Sequence, residues 1–163
     1  EEIDTARIVG AGATAASALV TLVDLGARRI EVSARNPSKA SALVDLGAAL
    51  QVLVVPSALD AGALASVDVT IGTLPGGTRL AAPVADALAT AGGALLDVAY
   101  SPWPSALAEH WLAQGKGVSS GLSMLVEQAL LQVRIFVAGD PAAELPNEPA
   151  VLLAMRDAVG LTV

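Results

Sequence analysis

Along most of the chain, short apolar or β-branched runs alternate with longer stretches in which apolar positions recur at helical spacing. Runs at 6–9, 29–33, 50–55, 67–73, 94–98 and 117–119 predict strands. Between them, the spacing over 13–25, 37–46, 83–91 and 105–114 predicts helices. Punctuation agrees: Gly26, Gly47, Gly92 and Gly115 fall where helices should stop, and Pro37 falls where one should start. Gly121 opens a longer apolar helix to about Val137, after which Gly139-Asp140-Pro141 breaks the chain. Residues 145–149 read as a turn-rich linker, and 150–159 as one more amphipathic helix. Alternating strands and helices predict an α/β layer fold, a doubly wound, mainly parallel sheet with helices on both faces, plus a C-terminal helix. The expected organisation is one domain over 1–140, then linker and helix over 141–163.

Composition narrows the function. The 163 residues suffice for one domain that buries roughly two-thirds of its unfolded surface. Hydrophobic residues make up 54% of the chain, but about a fifth of it is alanine, and no apolar run of membrane-spanning length is free of Gly, Pro or charge. Sixteen acidic against nine basic residues, a net charge of −7, argue against nucleic acid and anionic membranes as partners. With no cysteine and only His110, neither thiolate chemistry nor a metal site is expected. The chain starts at Glu1 without Met or a basic, apolar leader, so no signal peptide is read, a cytoplasmic setting is expected, and Glu1 looks like a cut.

Directly after the first predicted strand, Gly10-Ala11-Gly12-Ala13-Thr14-Ala15 fits G-x-G-x-x-A and opens a helix. In a nucleotide site Gly10 permits the tight turn, Gly12 lets a pyrophosphate approach the backbone, and Ala15 keeps the helix close to the sheet. N–H groups at the positive helix end then face phosphate. The same residues also suit a structural turn, or another cofactor such as S-adenosylmethionine. The end of the second strand separates NAD from NADP, because a ribose 2′-hydroxyl calls for an acid there and a 2′-phosphate for cations. Glu31 lies mid-strand, whereas Arg35 stands at the strand end and Lys39 one turn past the Asn36-Pro37 helix start. Two cations and no acid favour NADP. The alternative is an ordinary solvated helix start, although cations beside a positive helix end are unfavourable unless an anion lies near.

The segment from Asp97 to Ser105 follows the fifth strand, at the sheet edge where a substrate would meet a cofactor. It carries Tyr100, the only tyrosine, whose hydroxyl suits a polar group of a substrate; a Pro-rich turn anchored by Trp103 is the alternative. Gln128, two turns past Gly121, shares a face with that helix entry, or is simply an exposed glutamine on a core helix. Glu109 and His110 read as a solvated helix face rather than a catalytic dyad. No Ser-His-Asp, P-loop or metal-ligand spacing appears in the sequence.

Taken in order, four segments resemble the cofactor domain of the shikimate dehydrogenases. They are the glycine loop from Gly10 to Thr14, the strand end Ala34-Arg35-Asn36 with Lys39, the D-x-x-Y-x-P-type run from Asp97 to Leu107, and Gly121 to Ala129, which matches G-x-x-M-L-V-x-Q-A. The resemblance runs from about Ala6 to Gly160 and implies a Rossmann-like fold with NADP as cofactor. It implies that Gly10, Ala11, Gly12, Ala13 and Thr14 hold the pyrophosphate. Ala34, Arg35, Asn36 and Lys39 would frame the 2′-phosphate, with the two cations as its clamp. Thr73, Val98 and Gly121 would complete the cofactor site, the last two on the nicotinamide side, and Tyr100 and Gln128 would contact substrate. The chain departs from the family pattern at Ala13 for the second loop glycine, Ala16 for a common basic residue, Ala34 for Asn, and Ile71-Gly72-Thr73 for an Asn-Ala-Thr-like run.

The reaction so implied is the reversible NADPH-dependent reduction of 3-dehydroshikimate to shikimate, in aromatic amino acid biosynthesis, by a monomer or homodimer. In the family, the catalytic Lys–Asp pair and a Ser-rich carboxylate site precede the glycine loop, in an N-terminal domain outside this chain. Neither Lys39 nor Lys116 can stand in, so no catalytic residue is expected here, and the chain alone should bind cofactor without turnover. Two other readings remain: a free-standing, non-catalytic NADP-binding module, and a dehydrogenase acting on quinate or another cyclic polyol.

Overall fold

A computed structural model describes residues 3–161. In chain order it forms β1 (Thr5–Val9), α1 (Ala13–Asp24), β2 (Arg29–Ala34), a 3₁₀ turn (Pro37–Ala40), α2 (Ser41–Ala49), β3 (Leu53–Ala58) and β4 (Val69–Gly72). Then follow α3 (Ala82–Ala91), β5 (Ala94–Asp97), α4 (Ala106–Ala113), β6 (Val118–Ser120), α5 (Leu122–Ala138) and α6 (Glu148–Ala158). The chain forms two compact units that part between Ser120 and Gly121.

The first unit is built on one six-stranded sheet in the order β3-β2-β1-β4-β5-β6, with every neighbouring pair parallel. Central parallel strands are covered on both faces, which is why their sequences read as unbroken apolar runs rather than alternating ones. On one face Ala6, Ile8, Ile30, Val32 and Val54 pack against Ala15, Leu19 and Leu22 of α1 and Leu43 of α2. On the other, Val9 and Leu95 pack against Leu88 and Ala89 of α3 and Leu107, Ala108 and Trp111 of α4. The chain order reverses direction across the sheet at β1, so the connections after β1 and β4 leave toward opposite sides and open a crevice at the carboxyl edge between them.

Among the boundaries that differ from the sequence reading, three have a local reason. Gly47, expected to end a helix, lies inside α2, and a Cβ there would stand 2.3 Å from Cγ2 of Val54. It is a packing glycine that lets α2 lie against β3. The helix ends instead at Leu50, Gln51 turns the chain with φ of 59°, and β3 starts at Leu53 rather than Leu50. In the second unit α6 begins at Glu148, because Pro149 occupies its first turn, where no hydrogen bond is lost, instead of closing a linker. That unit also holds α5, which ends on the left-handed Gly139 (φ 75°), and the two helices are joined by ion pairs of Arg134 with Glu148 and Arg156 with Glu127.

Candidate functional site

The carboxyl end of β1 is pinned from both sides. Gly10 donates its N–H to the carbonyl of Ser33 at 2.9 Å, and Thr73 donates its N–H (2.8 Å) and its hydroxyl (3.1 Å) to the carbonyl of Val9. Gly10 has φ of 117°, and a Cβ there would lie 2.5 Å from Oγ1 of Thr73, so both backbone and neighbour require glycine. Gly12, the N-cap of α1, is different: a Cβ built on it meets nothing within 4 Å. Nothing in the chain's own packing calls for glycine there, and the open space lies in front of a helix end with no side-chain cap and no acid in its first turn. Unsatisfied N–H groups at a positive helix end form an anion site. Ala15 is fully buried, which lets α1 approach the sheet as the motif predicts.

One cleft of about 620 Å³ contains Gly10, Ala11, Gly12, Ala34, Arg35, Asn36, Lys39 and Thr73. The structure thus brings most of the sequence-predicted cofactor residues to one place. Arg35 and Lys39 are exposed, and neither takes part in an ion pair among the described residues. Asn36 is engaged locally: its Oδ1 accepts from the N–H (3.1 Å) and hydroxyl (2.7 Å) of Ser38, capping the 3₁₀ turn that carries Lys39.

Glu31, the acid at roughly the distance of a ribose ligand, points elsewhere. It is buried and pairs with the fully buried Arg7, Oε2 to Nη2 at 3.1 Å, while Oε1 accepts from Ser57 at 2.8 Å and Ser33 at 3.4 Å. Burial by itself raises its pKa, but the hydrogen bonds from Arg7 and Ser57 outweigh that and hold the carboxyl below its usual value. The acid belongs to the fold, and the strand end is left to cations.

A second cleft of about 450 Å³ shares Thr73, Leu74 and Pro75 with the first. It adds Thr14 from α1 and Val98, Ala99, Tyr100 and Ser101 from the segment after β5. Tyr100 is 48% exposed. Trp103 is also substantially exposed, so it does not anchor this turn; Asp97 and Ser105 do, by a hydrogen bond between their side chains. Ala13 is exposed at the start of α1 and lines neither cleft. Gly121, buried at the N-cap of α5, and Gln128, exposed on α5, belong to the second unit. The sequence reading missed Leu59, Leu74 and Pro75, which follow the ends of β3 and β4; the rule that ligands sit beyond strand carboxyl ends was the signal that could have found them.

The remaining candidates lie outside these clefts. His110 pairs with Asp86 across α3 and α4, Nδ1 to Oδ1 at 2.6 Å, rather than with Glu109. Lys116 donates Nζ to the carbonyls of Ala89, Thr90 and Gly92, closing the end of α3. Among the described residues no cluster of His, Asp or Glu could hold a metal ion, and no helix is long and apolar enough to cross a membrane.

No family model matches the chain. It is 36% identical over 131 residues to the shikimate dehydrogenase (NADP(+)) of Paracidovorax citrulli, covering 75% of this chain and 45% of that protein. It is 32% identical over 160 residues to the protein of the same name from Methylibium petroleiphilum, covering 93% of this chain and 51% of that one. The crystal structure of Mycobacterium tuberculosis shikimate dehydrogenase superposes with a TM-score of 0.78 at 39% identity, over 94% of this chain and 56% of that one. The chain therefore spans about half the length of the curated relatives it matches. Sequence and fold agree over the same residues, and what the chain is similar to is the C-terminal part of shikimate dehydrogenases.

Proposed function

We propose that this chain binds NADP(H) along the carboxyl edge of its sheet and serves an oxidoreductase that interconverts 3-dehydroshikimate and shikimate. One observation carries the cofactor reading. Arg35 and Lys39, in no ion pair among the described residues, stand in the same cleft as the open space before α1, while Glu31 is held by Arg7. An uncapped helix end and two cations suit a ligand with a pyrophosphate and a further phosphate.

When bound, the nicotinamide supplies or takes up hydride. The chain's part is placement. The backbone around Gly12 and Thr14 receives the pyrophosphate, and Arg35 with Lys39 holds the 2′-phosphate. The wall from Val98 to Tyr100, with Thr73, meets the nicotinamide half. Binding energy from the remote phosphate thereby fixes the reacting end. By family resemblance Tyr100 contacts the substrate, and the proton is handled by a Lys–Asp pair outside this chain, so the chain alone does not turn over.

Calorimetric titration of the 163-residue chain with NADPH and NADH tests this. NADPH should bind at least tenfold tighter, a difference of about 1.4 kcal/mol. Shikimate with NADP⁺ should give no absorbance change at 340 nm. Equal affinities, or steady turnover by the chain alone, would refute the reading.

A further inference from the structure

We infer that Asp97 is a positioning residue that holds the Tyr100 wall of the cleft. This rests on the cofactor reading above. The segment from Val98 to Pro104 has no regular structure, yet it forms one side of the second cleft. Its ends are joined through one carboxylate. Asp97, the last residue of β5 and 3% exposed, accepts the N–H of Ala99 on Oδ1 at 3.1 Å and the hydroxyl of Ser105 on Oδ2 at 2.5 Å. The Ser105 oxygen in turn accepts the N–H of Ala108, so it is also the N-cap of α4.

The arrangement fixes where the segment leaves the sheet and where it re-enters a helix. Gly72 makes room for it: a Cβ there would lie 3.0 Å from Oδ1 of Asp97 and 3.0 Å from Cδ2 of Leu107. The carbonyl of Gly72 also accepts the N–H of Val98 at 2.9 Å. Strand β4, strand β5 and helix α4 thus converge on one carboxylate that makes no contact with either cleft. Burying a carboxylate is unfavourable, and burial raises the pKa of this one despite its hydrogen bonds to Ser105 and Ala99. A buried acid that only linked two loop ends could be replaced by apolar packing. Its effect is the placement of Val98 to Ser101 against Thr73.

The test separates the two halves of the cofactor. Adenosine 2′,5′-bisphosphate carries the 2′-phosphate but no nicotinamide, and its binding reports that the chain is folded and the Arg35 end intact. Ser105→Ala and Asp97→Ala should weaken NADPH binding about fivefold, the cost of ordering a side chain or two on binding, with the bisphosphate unchanged within about twofold. Ser105→Thr keeps the hydroxyl's hydrogen bonds, and Asp97→Asn keeps the acceptor for Ala99 while its amide donates to the Ser105 oxygen, so both should retain the parental ratio of the two affinities. Equal weakening of both ligands in Ser105→Ala, or unchanged NADPH binding, overturns the positioning role. If the parent chain fails to bind the bisphosphate, the cofactor reading itself falls and the inference with it.

Discussion

Replacing Glu31 by glutamine removes the one ion-pair partner that Arg7 has among the described residues. The guanidinium is fully buried, and its Nη2 also donates to the carbonyl of Ala65 at 2.7 Å, but Nε and Nη1 have no hydrogen-bond partner among the described residues. Glutamine keeps an acceptor for Nη2 and loses the charge. Arg7 is then a buried cation with little compensation, and losing one partner of such a pair costs about 3–5 kcal/mol. Against a total stability of roughly 5–15 kcal/mol this is a large fraction. The melting temperature should fall on the order of 10 °C. Urea unfolding followed by circular dichroism measures the loss, and a double variant, Arg7→Met with Glu31→Leu, should lose less than Glu31→Gln alone. The pH dependence follows in sign. The folded-state pKa of Glu31 lies below its ordinary 4.5, so its contribution is complete above that value and disappears as pH falls through the folded pKa. The parent chain should therefore lose more stability than Glu31→Gln between about pH 5 and pH 3. A cost below about 1 kcal/mol for Glu31→Gln, or parallel acid curves for the two proteins, would refute the account.

Two further substitutions separate ligand contacts from packing. Arg35→Ala should weaken NADPH binding at least about fivefold and NADH binding little, because a charge pair near 4 Å at a protein surface is worth about 1–4 kcal/mol. Calorimetry showing equal losses for the two cofactors would remove the clamp. Gly47→Ala should destabilise the chain by about 1–3 kcal/mol despite the better helix propensity of alanine, because its Cβ would strike Val54; a stabilised variant in urea unfolding would show that β3 yields easily.

The fold was legible because its strands and helices differ in period and because Gly10-Ala11-Gly12 marks the change from one to the other. The cleft proposed for the cofactor was legible for the same reason: a strand that ends in a glycine turn at the start of a helix brings its lining together in one local segment. Gly47 was misread because a glycine near a predicted helix end looks alike whether it stops the helix or admits a neighbour, and Val54 lies across space rather than along the helix. Leu59, Leu74 and Pro75 were missed because they meet only when β3 and β4 take their places in the sheet. The Asp97 link was hidden likewise, since nothing in the run to Ser105 says that eight residues return to one carboxylate.

On the proposed function, strand β2 joins the stability of the fold to the choice of cofactor. Register places Arg7 of β1 beside Glu31, and the same face carries Ser33 and, from β3, Ser57, so every odd position of β2 near the crevice is engaged within the sheet. An acid three residues before the strand end cannot reach a ribose while it neutralises a cation 0% exposed. The strand end, from Ala34 onward, is then the first place where a side chain can meet the 2′ position, and it offers Arg35, with Lys39 following on the turn that Asn36 caps. On the proposed function, changes at Glu31 therefore act on folding and changes at Arg35 on ligand selection. The two residues stand four apart in sequence, but the pleat and the end of the strand assign them to different tasks.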